Sequence, residues 1–202
     1  ALSATFWAQS IIIEVYSLAA FLLFLCWYAL ERFTLLKKKA DWFLACLIFG
    51  LALSNHWPLV MLSAPALFAV IWPEIRTLLF KLTTPSFFLL TILSVALGLA
   101  PYLYLFTRPD DVFGVSGPIN GFSEFVDYVS RRSYEDGKAG ATMTDKLAFL
   151  SWLPLETIRQ LGFPLTMLAG IGVYYSFKRG PRHRAIAFVL NYLGGTVLLT
   201  LL

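Results

Sequence analysis

The chain has 202 residues, of which 58% are hydrophobic, 16% aromatic and only 14% charged, with a net charge of +4. This composition lies outside the range of soluble globular proteins and predicts an all-α, polytopic integral membrane protein. The positive charge is too small and too dispersed to indicate nucleic-acid binding.

Both ends of the sequence lack the features of a natural terminus. Residue 1 is Ala rather than Met, no basic segment with a cleavage site follows it, and residues 194–202 stop inside an apolar run. We therefore expect residues 1–202 to be a fragment of one transmembrane domain, truncated at both ends.

Six apolar segments are candidates for membrane spans. They cover residues 10–30, 42–54, 58–72, 85–106, 161–177 and 185–202. The second and third have only 13 and 15 residues, which is short for a hydrocarbon core of about 30 Å. Pro58 disfavours helical backbone at the residue before it. The two segments therefore form either a hairpin of short helices or one long kinked helix.

The distribution of basic residues favours the hairpin. A hairpin brings ten basic residues into short loops on one side: Arg32, Lys37, Lys38, Lys39, Arg76, Lys81, Lys178, Arg179, Arg182 and Arg184. One kinked helix would divide the basic residues near the membrane almost evenly. The positive-inside rule makes the basic side cytoplasmic. It then places Glu14, the turn at Asn55-His56 and the loop 106–160 on the non-cytoplasmic side.

The loop 106–160 is longer than structureless loops usually are, so it should carry its own structure. Two stripes of apolar residues recur in it at helical spacing. They are Phe122, Phe125, Val126 and Val129, and then Leu147, Leu150, Leu153 and Ile158. These stripes predict external amphipathic helices that lie at the membrane interface.

Glu14 is the first candidate catalytic residue, because it lies inside the first apolar segment. A carboxylate at that depth costs about 2.5–3.5 kcal/mol unless it faces the bundle interior or a wet cavity. Tyr16 is a nearby hydrogen-bonding partner and a candidate substrate-binding residue. The alternative is an acid close to the interface whose side chain extends into water.

Asn55 and His56 are the next candidate substrate-binding residues. They could bind a phosphate or a sugar hydroxyl at an external helix end, or they could simply cap the helix. His183 is the other histidine of the chain, so a multi-histidine metal site is not available and we expect no metal. Cys26 and Cys46 fall in apolar segments and are expected to be buried free thiols.

Further candidates for substrate binding flank the long loop. Tyr102 and Arg108 lie where the fourth segment ends, and an aromatic belt at the interface is the alternative interpretation. Arg131, Arg132 and Tyr134 follow the first loop stripe. The arginines could bind a phosphate bidentately, or they could complement a helix dipole. No Gly-rich phosphate loop, Ser-His-Asp pattern or Cys-x-x-Cys motif is present, and we expect no cofactor.

Several blocks occur in an order that resembles a known family. They are Thr5-Phe6-Trp7-Ala8-Gln9-Ser10 with Glu14-Val15-Tyr16, Asn55-His56 after Gly50-Leu51-Ala52-Leu53, Pro101-Tyr102-Leu103-Tyr104, and Phe125 to Tyr134. Over residues 3–134 the chain is similar to the bacterial membrane family related to eukaryotic transmembrane O-mannosyltransferases, within the GT-C glycosyltransferase superfamily. It departs from the family at Asn120-Gly121, where a Trp-Gly pair is expected.

The resemblance implies transfer of a sugar from a polyprenyl-phosphate-linked donor to a protein or glycan acceptor on the non-cytoplasmic face. The family's catalytic base lies in a first external loop, which we expect this fragment not to include, so Glu14 would be a second acidic position. A carboxylate would deprotonate the acceptor while a cationic group stabilises the leaving phosphate. Arg108, Arg131 and Arg132 are the candidates for that cation.

The resemblance further implies a protein embedded in the lipid bilayer, in the inner membrane if bacterial or the endoplasmic reticulum if eukaryotic. A function from a different class also fits the composition. The chain could be a non-catalytic polytopic membrane subunit or a transporter element, in which the polar residues line a path.

Overall fold

The computed structural model describes residues 15–107, 119–130 and 142–194, and the regular structure in these ranges is entirely helical. The helices are α1 (Val15–Leu36), α2 (Lys39–Ile71), α3 (Ile75–Leu82), α4 (Pro85–Leu99), α5 (Phe122–Ser130), α6 (Met143–Leu161), α7 (Phe163–Arg179) and α8 (Arg182–Leu193). Short 3-10 helices cover Trp72–Glu74 and Ala100–Phe106. The all-α prediction is confirmed.

Three helical segments in the described ranges are long and apolar enough to cross a membrane: Tyr16–Leu36, Lys39–Leu82 and Pro85–Phe106. They contain most or all of the first four predicted segments. The predicted fifth and sixth segments overlap α7 and α8, which have 17 and 12 residues. Residues 195–202 of the sixth segment lie outside the described residues.

Helix α2 folds back on itself instead of running straight. A straight helix of its 33 residues would be about 50 Å long. Lys37 precedes this helix and Glu74 follows it, yet their side chains form an ion pair. Ile71 and Trp42 also line one cavity. The two arms, residues 39–55 and 57–71, therefore lie side by side as the predicted hairpin.

The reversal occurs at His56, whose φ of −156° and ψ of 77° are not helical. Pro58 explains why the break falls here, because its ring has no N–H and it disfavours helix at the preceding residue. A second proline, Pro65, lies in the second arm of α2, where the backbone stays helical. The hairpin divides the bundle into a turn end, which contains His56, and a basic end, which contains Lys37 and Glu74.

Helices α2 and α4 pack at unusually short range through two glycines. A Cβ added to Gly50 would lie 2.3 Å from the Val95 carbonyl oxygen and 2.9 Å from Gly98 Cα. Closer to the basic end, Trp42 Nε1 donates to Thr91 Oγ1 at 3.0 Å. Small residues that let backbones approach are typical of packed membrane helices.

Three ion pairs hold the basic end together. Arg32 Nε lies 3.0 Å from Asp41 Oδ1, Lys37 pairs with Glu74, and Arg184 Nη2 lies 2.8 Å from Glu31 Oε2. The last pair fixes the start of α8 beside the end of α1. Further along α8, Phe188 stacks on Trp27 with ring centroids 5.2 Å apart.

Both loop helices predicted from the apolar stripes are present, as α5 and α6. Helix α6 begins with a capping box, in which the Thr142 hydroxyl accepts from the Asp145 backbone N–H and the Asp145 side chain accepts from the Thr142 backbone N–H. Two hydrogen bonds to the Asp145 carboxylate lower its pKa. The larger effect comes from the Thr142 side chain and the smaller from the Thr142 backbone N–H. Cys26 and Cys46 are buried free thiols, as predicted.

Candidate functional site at the turn end

The turn end brings together two candidate residues that are forty positions apart in the sequence. The rings of Tyr16 in α1 and His56 in α2 meet edge to face, with centroids 5.3 Å apart and planes at 63°. Tyr16 is half exposed and His56 is half-buried. An imidazole and a phenol thus share one accessible surface at the end of the bundle.

His56 also caps the second arm of α2. Its Nδ1 accepts from the backbone N–H of Leu59 at 3.4 Å, which is the long end of hydrogen-bonding distance. The spacing of three residues is that of an N-cap side chain. A ring whose Nδ1 accepts this bond carries its hydrogen on Nε2 when neutral. The capping role weighed for this residue is therefore present.

Tyr102 contacts the same turn through its hydroxyl. The phenol donates to the Leu53 carbonyl oxygen at 3.0 Å, within the last helical turn before the break, where carbonyls lose helical partners. Ser54 Oγ bonds to the carbonyl oxygens of Leu51 and Gly98, at 2.9 Å and 3.4 Å. Tyr102 therefore supports the end of the first arm, a structural role that neither the aromatic-belt nor the substrate-binding interpretation predicted.

Trp57 is a residue of this site that sequence reasoning missed. Its Nε1 donates to the Val129 carbonyl oxygen at 2.8 Å, which ties the last turn of α5 to the hairpin turn. Phe125 of the same helix packs against Tyr102, with ring centroids 5.6 Å apart. The sequence did contain a signal for this residue: Trp57 is an aromatic residue with an N–H donor, and it lies between His56 and Pro58 at the predicted turn.

Four predicted site residues, Tyr16, Asn55, His56 and Tyr102, thus lie at one end of the bundle, and Asn55 is half-buried there. The other five lie outside the described residues, so their predicted roles stay predictions. These five are Glu14, Arg108, Arg131, Arg132 and Tyr134.

The described part of the candidate site offers groups that can form hydrogen bonds to a polar ligand. The imidazole and phenol of His56 and Tyr16 can both bond to phosphate or hydroxyl oxygens. Within residues 15–107, 119–130 and 142–194, no group of three or more His, Cys, Asp or Glu side chains could hold a metal ion.

Neither a curated protein nor a solved structure matches the chain. Residues 1–78 match a family model described as "Protein O-mannosyl-transferase TMEM260 N-terminal domain". The matched range contains the whole hairpin and three of the four described site residues, Tyr16, Asn55 and His56. Over this segment the chain is similar to the N-terminal domain of that protein O-mannosyl-transferase family.

Proposed function

We propose that the chain is part of a membrane glycosyltransferase of the GT-C type. It transfers a sugar from a polyprenyl-phosphate-linked donor to a protein or glycan acceptor on the non-cytoplasmic face. The observation that carries this proposal is the contact between Tyr16 and His56. It places two polar rings together at the end of an apolar bundle, within the segment that matches the O-mannosyltransferase family.

In this proposal a carboxylate and cations join the described rings. Glu14 lies two residues before Tyr16 in the sequence, and Arg131 and Arg132 lie two and three residues after Val129. Consecutive Cα atoms are about 3.8 Å apart. Only a short stretch of chain therefore separates Glu14 from Tyr16, and another separates the two arginines from the Val129 carbonyl that accepts from Trp57. Such a set has the parts that an inverting displacement needs.

Each part has a distinct task. A carboxylate orients or deprotonates the acceptor hydroxyl, and the guanidinium groups stabilise the phosphate that leaves with the lipid. The paired rings of His56 and Tyr16 contact the sugar or phosphate of the donor. The apolar bundle accommodates the lipid part of the donor.

The membrane arrangement of the proposal has six spans, with the basic end cytoplasmic. The ion pairs Lys37–Glu74 and Arg184–Glu31 bring residues of three predicted cytoplasmic loops to one end of the bundle. His56 and Trp57, with α5, lie at the opposite end. The basic residues therefore lie at one end and the candidate site at the other, as the orientation derived from the positive-inside rule requires.

Thiol labelling tests the orientation. Single cysteines introduced at Lys38 and Gly180 should be protected from an impermeant reagent added outside sealed cells, whereas one at Ser123 should be labelled. All three positions are exposed, so permeabilised cells should label all three, and the buried Cys26 and Cys46 should give a low background. External labelling at Gly180 together with protection at Ser123 would refute the proposed orientation.

Substitution of Glu14 tests the chemistry. Glu14→Gln keeps the shape but removes the charge, and we expect sugar transfer from a polyprenyl-phosphate donor to fall at least tenfold, about 1.4 kcal/mol in activation free energy. Folding should survive, since an uncharged amide is cheaper to bury than an unpaired carboxylate. Glu31→Gln, the same change at the basic end, is the matched control. Full transfer by purified, folded Glu14→Gln would remove the carboxylate from the mechanism.

A further inference from the structure

The basic end carries more positive charge than its acids can pair. Its loops and helix ends contain the ten basic residues named above, against three acids. Each of these acids, Glu31, Asp41 and Glu74, already forms an ion pair with one basic residue. Seven basic residues are therefore left in excess at this end of the bundle.

Two of the excess residues line the same small cleft. Lys39 at the start of α2 and Lys81 at the end of α3 line a cavity of about 100 Å³, together with the hydroxyl-bearing residues Thr84 and Ser86. In the described parts of the chain, neither lysine forms an ion pair. Lys81 Nζ instead lies 5.8 Å from the centroid of the Phe33 ring.

The backbone adds further positive potential to the same cleft. Helix α4 begins there, with Thr84 at its N-cap and Pro85 in the first turn, and no side chain caps it. The first backbone N–H groups of a helix have no helical acceptor, and they carry the positive end of the helix dipole. Ser86 and Phe87, which follow Pro85 in this first turn, line the same cleft as the two lysines, and their backbone N–H groups have no helical acceptor.

The remaining walls of the cleft and its surroundings are apolar. Phe43, Phe87 and Leu90 complete its lining. Their sequence neighbours Trp42 and Thr91 line a second cavity, of about 270 Å³, which exposes only apolar surface. A cationic site bordered by apolar surface suits the phosphate of a lipid, whose chains remain in hydrocarbon, better than it suits a free anion.

We propose that this cleft between α2, α3 and α4 binds the phosphate headgroup of an anionic phospholipid in the cytoplasmic leaflet. Lys39 and Lys81 both contact the phosphate, the hydroxyl groups of Thr84 and Ser86 donate hydrogen bonds to it, and Phe43 and Leu90 contact the first part of the acyl chains. Basic pockets between membrane helices on the cytoplasmic side are suited to such headgroups. The site lies at the end of the bundle opposite the proposed transfer site, so it does not depend on that chemistry; its assignment to the cytoplasmic leaflet rests on the proposed orientation.

The experiment compares lipid retention by the purified protein in nanodiscs of phosphatidylcholine with a small fraction of photoactivatable phosphatidylglycerol. Cross-links should concentrate in peptides containing Lys39–Phe43 and Lys81–Leu90. The double variant Lys39→Gln/Lys81→Gln should lower this cross-linking at least tenfold. Lys178→Gln/Arg179→Gln is the control, because it removes two positive charges from the same end of the bundle without touching the cleft.

Each outcome decides the proposal. An equal loss in the control pair would show a general attraction of the basic end rather than a site, and would overturn the proposal. Suppression of cross-linking by millimolar inorganic phosphate would assign the cleft to a free anion instead. If the double variant fails to fold, the proposal is tested with the single variant Lys39→Gln, whose side chain is exposed. The positions of the cross-links in the unmodified protein give a second test. Cross-links spread evenly over the basic end would contradict the site.

Discussion

His56→Asn should reduce sugar transfer about a hundredfold while leaving the fold intact. The expected loss is that of one preorganised hydrogen-bonding group at a reacting centre, about 10²-fold or more. Asn is among the best N-cap residues, so it should replace Nδ1 as the acceptor for the Leu59 N–H. Its shorter side chain cannot reproduce the contact of the imidazole with Tyr16. Transfer and thermal unfolding should be measured on the same purified protein.

The control for this change is the second histidine of the chain. His183→Asn makes the same substitution at the basic end, beside Glu31 and Arg184, where burial lowers the pKa of the imidazole. We expect it to leave transfer unchanged. If His56→Asn retains full transfer and its melting temperature, His56 is a helix cap and nothing more.

Gly50→Ala should destabilise the bundle strongly, although it adds only one methyl group. The new Cβ would lie 2.3 Å from the Val95 carbonyl oxygen, which is backbone and cannot rotate away. Helices α2 and α4 must separate, and overpacking of this kind typically costs about 1–3 kcal/mol. Because Ser54 and Leu53 contact α4 and its continuation just beyond Gly50, transfer should fall as well.

Gly172→Ala in α7 is the matched control, since a Cβ there meets no atom within 4 Å. Alanine is a better helix former than glycine by about 1 kcal/mol, so this variant should be as stable as the unmodified protein or slightly more stable. The measurement is thermal unfolding in detergent, followed by circular dichroism. Equal stability of the two variants would mean that α2 and α4 do not approach as closely as the structure shows.

Local sequence patterns were sufficient to predict most of the elements. The fourth apolar segment, 85–106, corresponds to α4 and the following 3-10 helix, and the two loop stripes became α5 and α6. The start of the first segment was not tested, because the described part of α1 begins at Val15. The number of spans also stays a prediction, since α7 and α8 are short in their described parts.

The candidate site was predicted less completely, because its residues are brought together by contacts between parts of the chain that are far apart in the sequence. The sequence indicated Tyr16, Asn55, His56 and Tyr102 one at a time, and it left helix capping and ligand binding as alternatives for His56. It gave no means of knowing that Tyr16 touches His56. Trp57 was missed because its partner is a backbone carbonyl of α5, 72 positions away.

The sequence by itself determined the helical class, the break before Pro58 and the separation of charges between the two ends. These follow from local physics: apolar length, a missing N–H and the cost of placing charge in hydrocarbon. The tertiary structure alone decided which residues meet, as in the pairs Lys37–Glu74, Gly50–Gly98 and Trp57–Val129. Such contacts depend on how whole helix surfaces pack against each other. The hydrophobic pattern of a single segment does not show which surface it will meet.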